Sequence, residues 1–415
     1  MFERSMETRP DPIISRAAAE RGPPTVLQVL PALESGGVER GTVDVAKALV
    51  AAGWRALVAS SGGPLVRELE RAGGEHVTLP LASKNPLVIR ANVGRLADLI
   101  EARGVDLVHA RSRAPAWSAL AAARRSGRPL VTTVHALYHH RTGLKRRYNS
   151  VMARGDRVIA ISQFIAEYVR QIYHVDESRL RVVPRGIDLG RFDPKQVSAE
   201  RMIQLARKWR LTDGMPVVML PGRLSRYKGQ ALLLEALSLL GRGDIRCLLV
   251  GPPQGRGGYR RKLERLVVAR GLESVVQLTD HCSDMPAAYM LADVVVSASI
   301  VPEGFGRIIV EAQAMGRPTI ATGHGAARET LVPGETGWLT PPDDAQALAA
   351  ALDCALALDA PAREALAARA MPRVRASFST ETMCARTLDV YRELLDGERG
   401  APGPSQAPAP GGPVP

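Results

Sequence analysis

Short apolar runs bounded by turn residues recur along this chain, and segments with helical periodicity separate them. Kept up through most of 415 residues, that alternation leaves few folds open. The runs fall at 25–30, 56–59, 76–79, 106–109, 130–135, 158–161 and 180–183, and a second set follows at 215–220, 247–251, 275–278, 293–298 and 318–321. A strand followed by a helix and another strand returns parallel through a right-handed crossover, so the pattern predicts parallel sheets covered on both faces. One sheet would need about a dozen strands without a break, which is too large for an ordinary open sheet. Two successive Rossmann-like α/β domains fit the pattern instead. Ligands of such sheets bind outside the carboxyl ends of the strands. The residues just past the first set of runs are Ser60 and Ser61, Arg111 and Ser112, His135, Ser162 and Gln163, and Arg185 and Gly186, a polar row suited to a cleft floor.

Three stretches carry chemistry. The first is Val301-Pro-Glu-Gly-Phe-Gly-Arg, which follows a strand and opens a helix expected over 308–315. Its glycines, Gly304 and Gly306 around Phe305, let backbone amides and a helix N-terminus face an anion such as phosphate. Glu303 in the loop and Glu311, expected two turns into the helix, can accept hydrogen bonds from hydroxyls of the group attached to the phosphate. The second stretch is Gly222-Arg-Leu-Ser-Arg-Tyr-Lys-Gly229, where Arg223 and Lys228 flank a loop at a helix start and can meet phosphate oxygens. The third is the turn Glu34-Ser-Gly-Gly-Val-Glu39, a strand-to-helix loop that lacks the G-x-G-x-x-G spacing of a dinucleotide site. His135 ends a strand, placed to hydrogen-bond a sugar or an acceptor hydroxyl, as does His109. His139 and His140 belong to a basic loop, without the third ligand that a zinc site needs.

The spacing E-x7-E around F-G-R, the A-x-G-x-P-x-I-A at 314–321 and the G-R-L-x-x-x-K-G at 222–229 together resemble the retaining glycosyltransferases of family 4, whose fold is GT-B, two Rossmann-like domains facing each other across a cleft. The resemblance spans about 25–395. It departs from the family at Val301, where glutamate is frequent, and at Ala136 after His135. It implies a metal-independent, hexosyltransferase-type enzyme that moves a sugar from a nucleotide-diphosphate donor to a hydroxyl of a glycan or lipid-linked acceptor, in lipopolysaccharide or polysaccharide synthesis. UDP, GDP and ADP sugars all fit. No cofactor and no metal is expected. By the same resemblance Glu303, His135, Arg223 and Lys228 are catalytic, while Gly36, Gly37, Gly304, Phe305, Gly306, Arg307 and Glu311 bind the donor. The region 278–284 would hold the nucleobase through backbone groups, with His281 and Asp284 read as turn residues. The implied layout is a flexible lead 1–22, an acceptor-side domain 23–193, a donor domain 194–377, a last helix 378–397 returning to the first domain, and a disordered tail 398–415. From Gly400 on, ten of sixteen residues are Pro or Gly. A nucleotide-sugar epimerase shares this architecture. So does a phosphorylase, which would need a pyridoxal-phosphate lysine that no motif marks.

Charge narrows the partners. The excess of +13 is concentrated between 107 and 155, where no acid occurs beside Arg111, Arg113, Arg124, Arg125, Arg128, Arg141, Lys145, Arg146, Arg147 and Arg154. A basic nucleic-acid- or polyanion-binding protein would explain that charge, but stacking aromatics are few and no helix-turn-helix or zinc-finger spacing occurs. The expected partner of 107–157 is an anionic membrane surface, not nucleic acid. Four cysteines without C-x-x-C pairing, no long apolar run and no signal-like start together predict a cytoplasmic protein, peripheral at the inner face of the membrane.

Overall fold

The computed structural model describes residues 22–138, 142–211, 214–253, 255 and 257–399. The expected lead up to Arg21, His139 and His140, and the tail from Gly400 lie outside the described residues. The strands are β1 (Thr25–Val29), β2 (Arg55–Ser60), β3 (Glu75–Thr78), β4 (Leu107–Ala110), β5 (Leu130–Val134), β6 (Arg157–Ala160) and β7 (Leu180–Val182), then β8 (Val217–Pro221), β9 (Arg246–Val250), β10 (Val276–Thr279), β11 (Val294–Ser297), β12 (Thr319–Thr322) and β13 (Trp338–Thr340). They form a seven-stranded sheet in the order β3-β2-β1-β4-β5-β6-β7 and a six-stranded sheet in the order β10-β9-β8-β11-β12-β13. The registered pairs are parallel, for example Val26 opposite Ala56 in one and Val218 opposite Cys247 in the other. In each sheet the winding reverses once, between β1 and β4 and between β8 and β11. A crevice opens at such a switch, past the strand ends.

By proximity the described residues divide into two compact units, residues 22–131 with 391–399 and residues 132–390. In the first, every residue of β1 is buried, which needs the continuous apolar run seen in the sequence. The polar exceptions find partners. Gln28 donates to the carbonyl of Thr42 at 3.0 Å and accepts from Arg111 at 3.0 Å. His109 Nδ1 lies 2.6 Å from the Tyr391 hydroxyl. Burial, and after it the charge of Arg111, holds the His109 imidazole well below its ordinary pKa, so it is neutral. His109 is therefore a core residue tied to the helix Thr380–Arg399.

In the second unit a core of Val218, Leu220, Leu233, Leu237, Leu249 and Leu352 sits between the six-stranded sheet and the helices Gln230–Leu240 and Ala345–Leu356. Asp344 and Asp359 start the helices Ala345–Leu356 and Ala360–Phe378, accepting from Ala347 N at 2.8 Å and Ala362 N at 2.9 Å. Pro361 stands in the first turn of the second, where no amide bond is lost. Pro372 lies inside that helix and does not end it. The buried stripe Leu366, Ala370, Val374 and Phe378 continues on both sides, and its packing outweighs the one bond that proline cannot make. Cys247, Cys282 and Cys384 are buried thiols and Cys354 is exposed; burial pushes Cys247 up to about 12.

Candidate active site

The loop after β8 is shaped by glycine. Gly229 ends the short 3-10 turn Arg226–Lys228 with φ +71°, and a Cβ there would lie 1.7 Å from the carbonyl oxygen of Ala298. Only a residue without a side chain lets this loop touch the end of β11. The backbones are then joined, Ile300 N donating to Tyr227 O at 3.0 Å. Residues 75 apart in sequence meet as a result. Lys228 Nζ donates to Glu303 Oε1 at 2.8 Å, and both side chains remain about a quarter exposed, at 24% and 28%. Ser299 Oγ also donates to Oε1. The carbonyl of Ser299 accepts from His324 Nε2 at 2.6 Å and from Thr322 Oγ1 at 2.7 Å, while Ala326 N donates to the carbonyl of Glu303 at 3.0 Å. The carboxylate thus stands on a loop fastened at both ends.

A cavity of about 690 Å³ opens beside it, bringing together His135, Arg223, Lys228, Glu303 and the segment Gly304 to Arg307. The helix Arg307–Ala314 points its N-terminus here, capped by Gly306 at φ +80°. It begins one residue earlier than its periodicity suggests, and Glu311 lies one turn beyond Arg307 rather than two. Phe305 is buried, its ring edge-on to Phe378 at 5.7 Å between centroids. Ser162 Oγ donates to the carbonyl of Gly304 at 2.8 Å. Glu329 accepts from the amides of Gln163 and Phe164 at 2.8 and 2.6 Å, capping the helix Gln163–Tyr173. Arg185 Nη2 donates to His135 Nδ1 at 3.2 Å, which places the imidazole proton on Nε2.

A second cavity, of about 300 Å³, shares Arg223, Arg307 and Ile308 with the first. Gly222 and Gly251, at the ends of β8 and β9, line it with His281, Cys282, Tyr289 and Glu311. Glu311 is buried, with Oε2 accepting from the Tyr289 hydroxyl at 2.9 Å and Oε1 from Arg307 Nη2 at 2.7 Å. Asp284 caps the helix Met285–Leu291 through Ala287 N at 3.2 Å and accepts from Nη2 and Nε of Arg201 at 2.6 and 2.8 Å. Its hydrogen bonds to that guanidinium hold its carboxyl below the usual range, as befits a turn residue. Gly36 and Gly37 lie in the first unit, where Gly36 caps the helix Gly37–Ala51 in extended conformation. Among the described residues no group of three or more His, Cys, Asp or Glu could hold a metal ion.

The profile of Glycosyltransferase Family 4 matches residues 35–191 and that of Glycosyl transferases group 1 matches 203–371. A D-inositol 3-phosphate glycosyltransferase of Xylanimonas cellulosilytica is 31% identical over 304 residues, 69% of this chain and 72% of its own. The chain belongs to glycosyltransferase family 4. A second relative of the transferase with the same name, from Geodermatophilus obscurus, is 29% identical over 410 residues, 89% of this chain and 86% of its own. Among solved structures, a glycosyltransferase of Rickettsia africae matches with TM-score 0.84 and 37% identity, covering 90% of the transferase and 99% of that chain. Anabaena HepE in complex with UDP-glucose matches with TM-score 0.76 and 25% identity, over 89% and 100%. These neighbours and the two parallel sheets make the fold GT-B.

Proposed function

We propose that the transferase moves a hexosyl group from a UDP-sugar to a hydroxyl, keeping the anomeric configuration and needing no metal ion. The observation that carries this reading is the convergence of Lys228, Arg223 and a glycine-capped helix N-terminus on the cavity that also holds Glu303. The two cations and the helix end neutralise charge that grows on the leaving diphosphate, a task that divalent ions perform elsewhere. Both bonds to Glu303 fall on Oε1, so Oε2 is the oxygen assigned to donor-sugar hydroxyls. Glu311 holds the ribose, and His135, with its proton on Nε2, supports the reacting sugar. The complex of HepE with UDP-glucose supports the uridine base. A thermal-shift panel of UDP-, GDP- and ADP-sugars in EDTA tests the reading. The largest stabilisation is expected from a UDP-sugar, and no response to any nucleotide sugar would end it.

For the acceptor we propose a lipid-linked glycan of the cell envelope, reached from an anionic membrane face. The helix Gly143–Asn149 presents Lys145, Arg146 and Arg147 together with Leu144, which is 82% exposed. Each basic residue at such a surface contributes about 1 kcal/mol, screened by salt. Replacing the three by glutamate should therefore strip the protein from phosphatidylserine vesicles at low salt. Equal sedimentation of variant and wild type would contradict membrane docking. Among the described residues no single helix is long and apolar enough to cross a membrane. The D-inositol 3-phosphate glycosyltransferases supply a second reading, a small phosphorylated polyol, which soluble transfer to inositol phosphate would favour.

A further inference from the structure

Glu311 is held by two donors of different kind. Arg307, one helical turn away, has a side chain 45% exposed, whereas that of Glu311 is 10% exposed. The arginine lines both cavities and is free to exchange its carboxylate partner for a phosphate oxygen. Tyr289 has no such choice. It is fully buried in the helix Met285–Leu291, its ring edge-on to Phe192 at 6.0 Å, and its hydroxyl donates to Oε2 at 2.9 Å. Burial, and after it the carboxylate charge, keeps this phenol protonated well above its ordinary pKa, so it only donates.

We infer that Tyr289 is a positioning residue for donor recognition: it fixes one oxygen of Glu311 so that the other, released when Arg307 turns to the diphosphate, reads the ribose hydroxyls of the nucleotide. The inference rests on the reading of Glu311 as the ribose contact. A carboxylate with one oxygen anchored presents the second in a single orientation, and the selectivity of a hydroxyl contact depends on that orientation. Without the phenol hydroxyl the carboxylate can rotate, or keep Arg307 from the phosphates. Ribose is recognised in ground and transition state alike, so the loss should show in donor affinity and leave kcat little changed.

The test compares UDP, GDP and ADP with their 2′-deoxy counterparts by calorimetric titration, in wild type, Tyr289→Phe, Glu311→Gln and the double variant. Wild type should prefer the ribonucleotide of its own base. Tyr289→Phe, which removes a single oxygen, should shrink that preference about tenfold. Glu311→Asp, which withdraws the carboxylate from the phenol without touching it, should do the same. On the Glu311→Gln background the tyrosine substitution should change the preference no further. If Tyr289→Phe weakens ribo and deoxy forms equally, or acts fully without Glu311, its role is packing and the inference is overturned. A wild type that shows no ribose preference overturns the ribose reading itself, and the tyrosine's role with it, which is a different result from a failing variant.

Discussion

Glutamine at position 303 is expected to lower kcat by about 10²- to 10³-fold while binding of free UDP stays close to wild type. The substitution keeps the side chain's shape and removes its charge. The Lys228 ammonium then meets a neutral amide instead of a carboxylate at 2.8 Å, and the hydroxyls of the donor sugar lose a charged acceptor. Free UDP carries no sugar, so it never uses that acceptor. Removing the carboxylate also leaves Lys228 more available to phosphate. Chemistry and nucleotide affinity should therefore separate, which an unfolding or misfolding effect would not produce.

The second large effect is structural. Gly229→Ala should destabilise the protein by about 2–5 kcal/mol, the sum of a left-handed conformation forced on an L-residue and a backbone clash. A Cβ at 1.7 Å from the Ala298 carbonyl cannot be relieved by turning a side chain, because its neighbour is main chain. The loops carrying Lys228 and Glu303 must part, so activity should fall with stability. Gly243→Ala provides the control: its Cβ would meet nothing within 4 Å, and its urea midpoint should match wild type. If Gly229→Ala unfolds at the same urea concentration as Gly243→Ala, the close approach of the two loops is not a property of the protein in solution.

Much of this was legible in the sequence, for physical reasons that differ by element. Continuous apolar runs such as that of β1 announce strands buried on both faces, and the turn residues after them announce the row where a ligand binds. The strand β13 escaped notice because Gly337 and Pro341 cut the run Trp338-Leu-Thr340 to three residues, one fewer than the run 180–183 that marked β7; it is recognisable by its pairing of Trp338 with Ile320. Pro372 reads as a helix breaker, yet burial on both sides carries the helix through it. In the site, Glu303, Lys228 and Arg223 stand out by type and by motif. The pairing of Lys228 with Glu303 does not, because it depends on Gly229 letting two loops touch. Ser299 and Tyr289 were missed altogether. The one signal for Tyr289 was a hydroxyl-bearing ring in the run Met285-Pro-Ala-Ala-Tyr, where a buried phenol must find a partner. Which partner it finds is settled by tertiary structure, through Glu311 on the helix that follows β11.

The most direct test of the account is a paired measurement on Glu303→Gln: turnover of the UDP-sugar, followed as UDP set free when the sugar passes to acceptor or water, beside the dissociation constant of UDP by calorimetry. The account predicts a collapse of turnover with UDP affinity preserved. Near-normal turnover in this variant, or a loss of UDP affinity as large as the loss of rate, would contradict the assignment of the reacting sugar to this carboxylate.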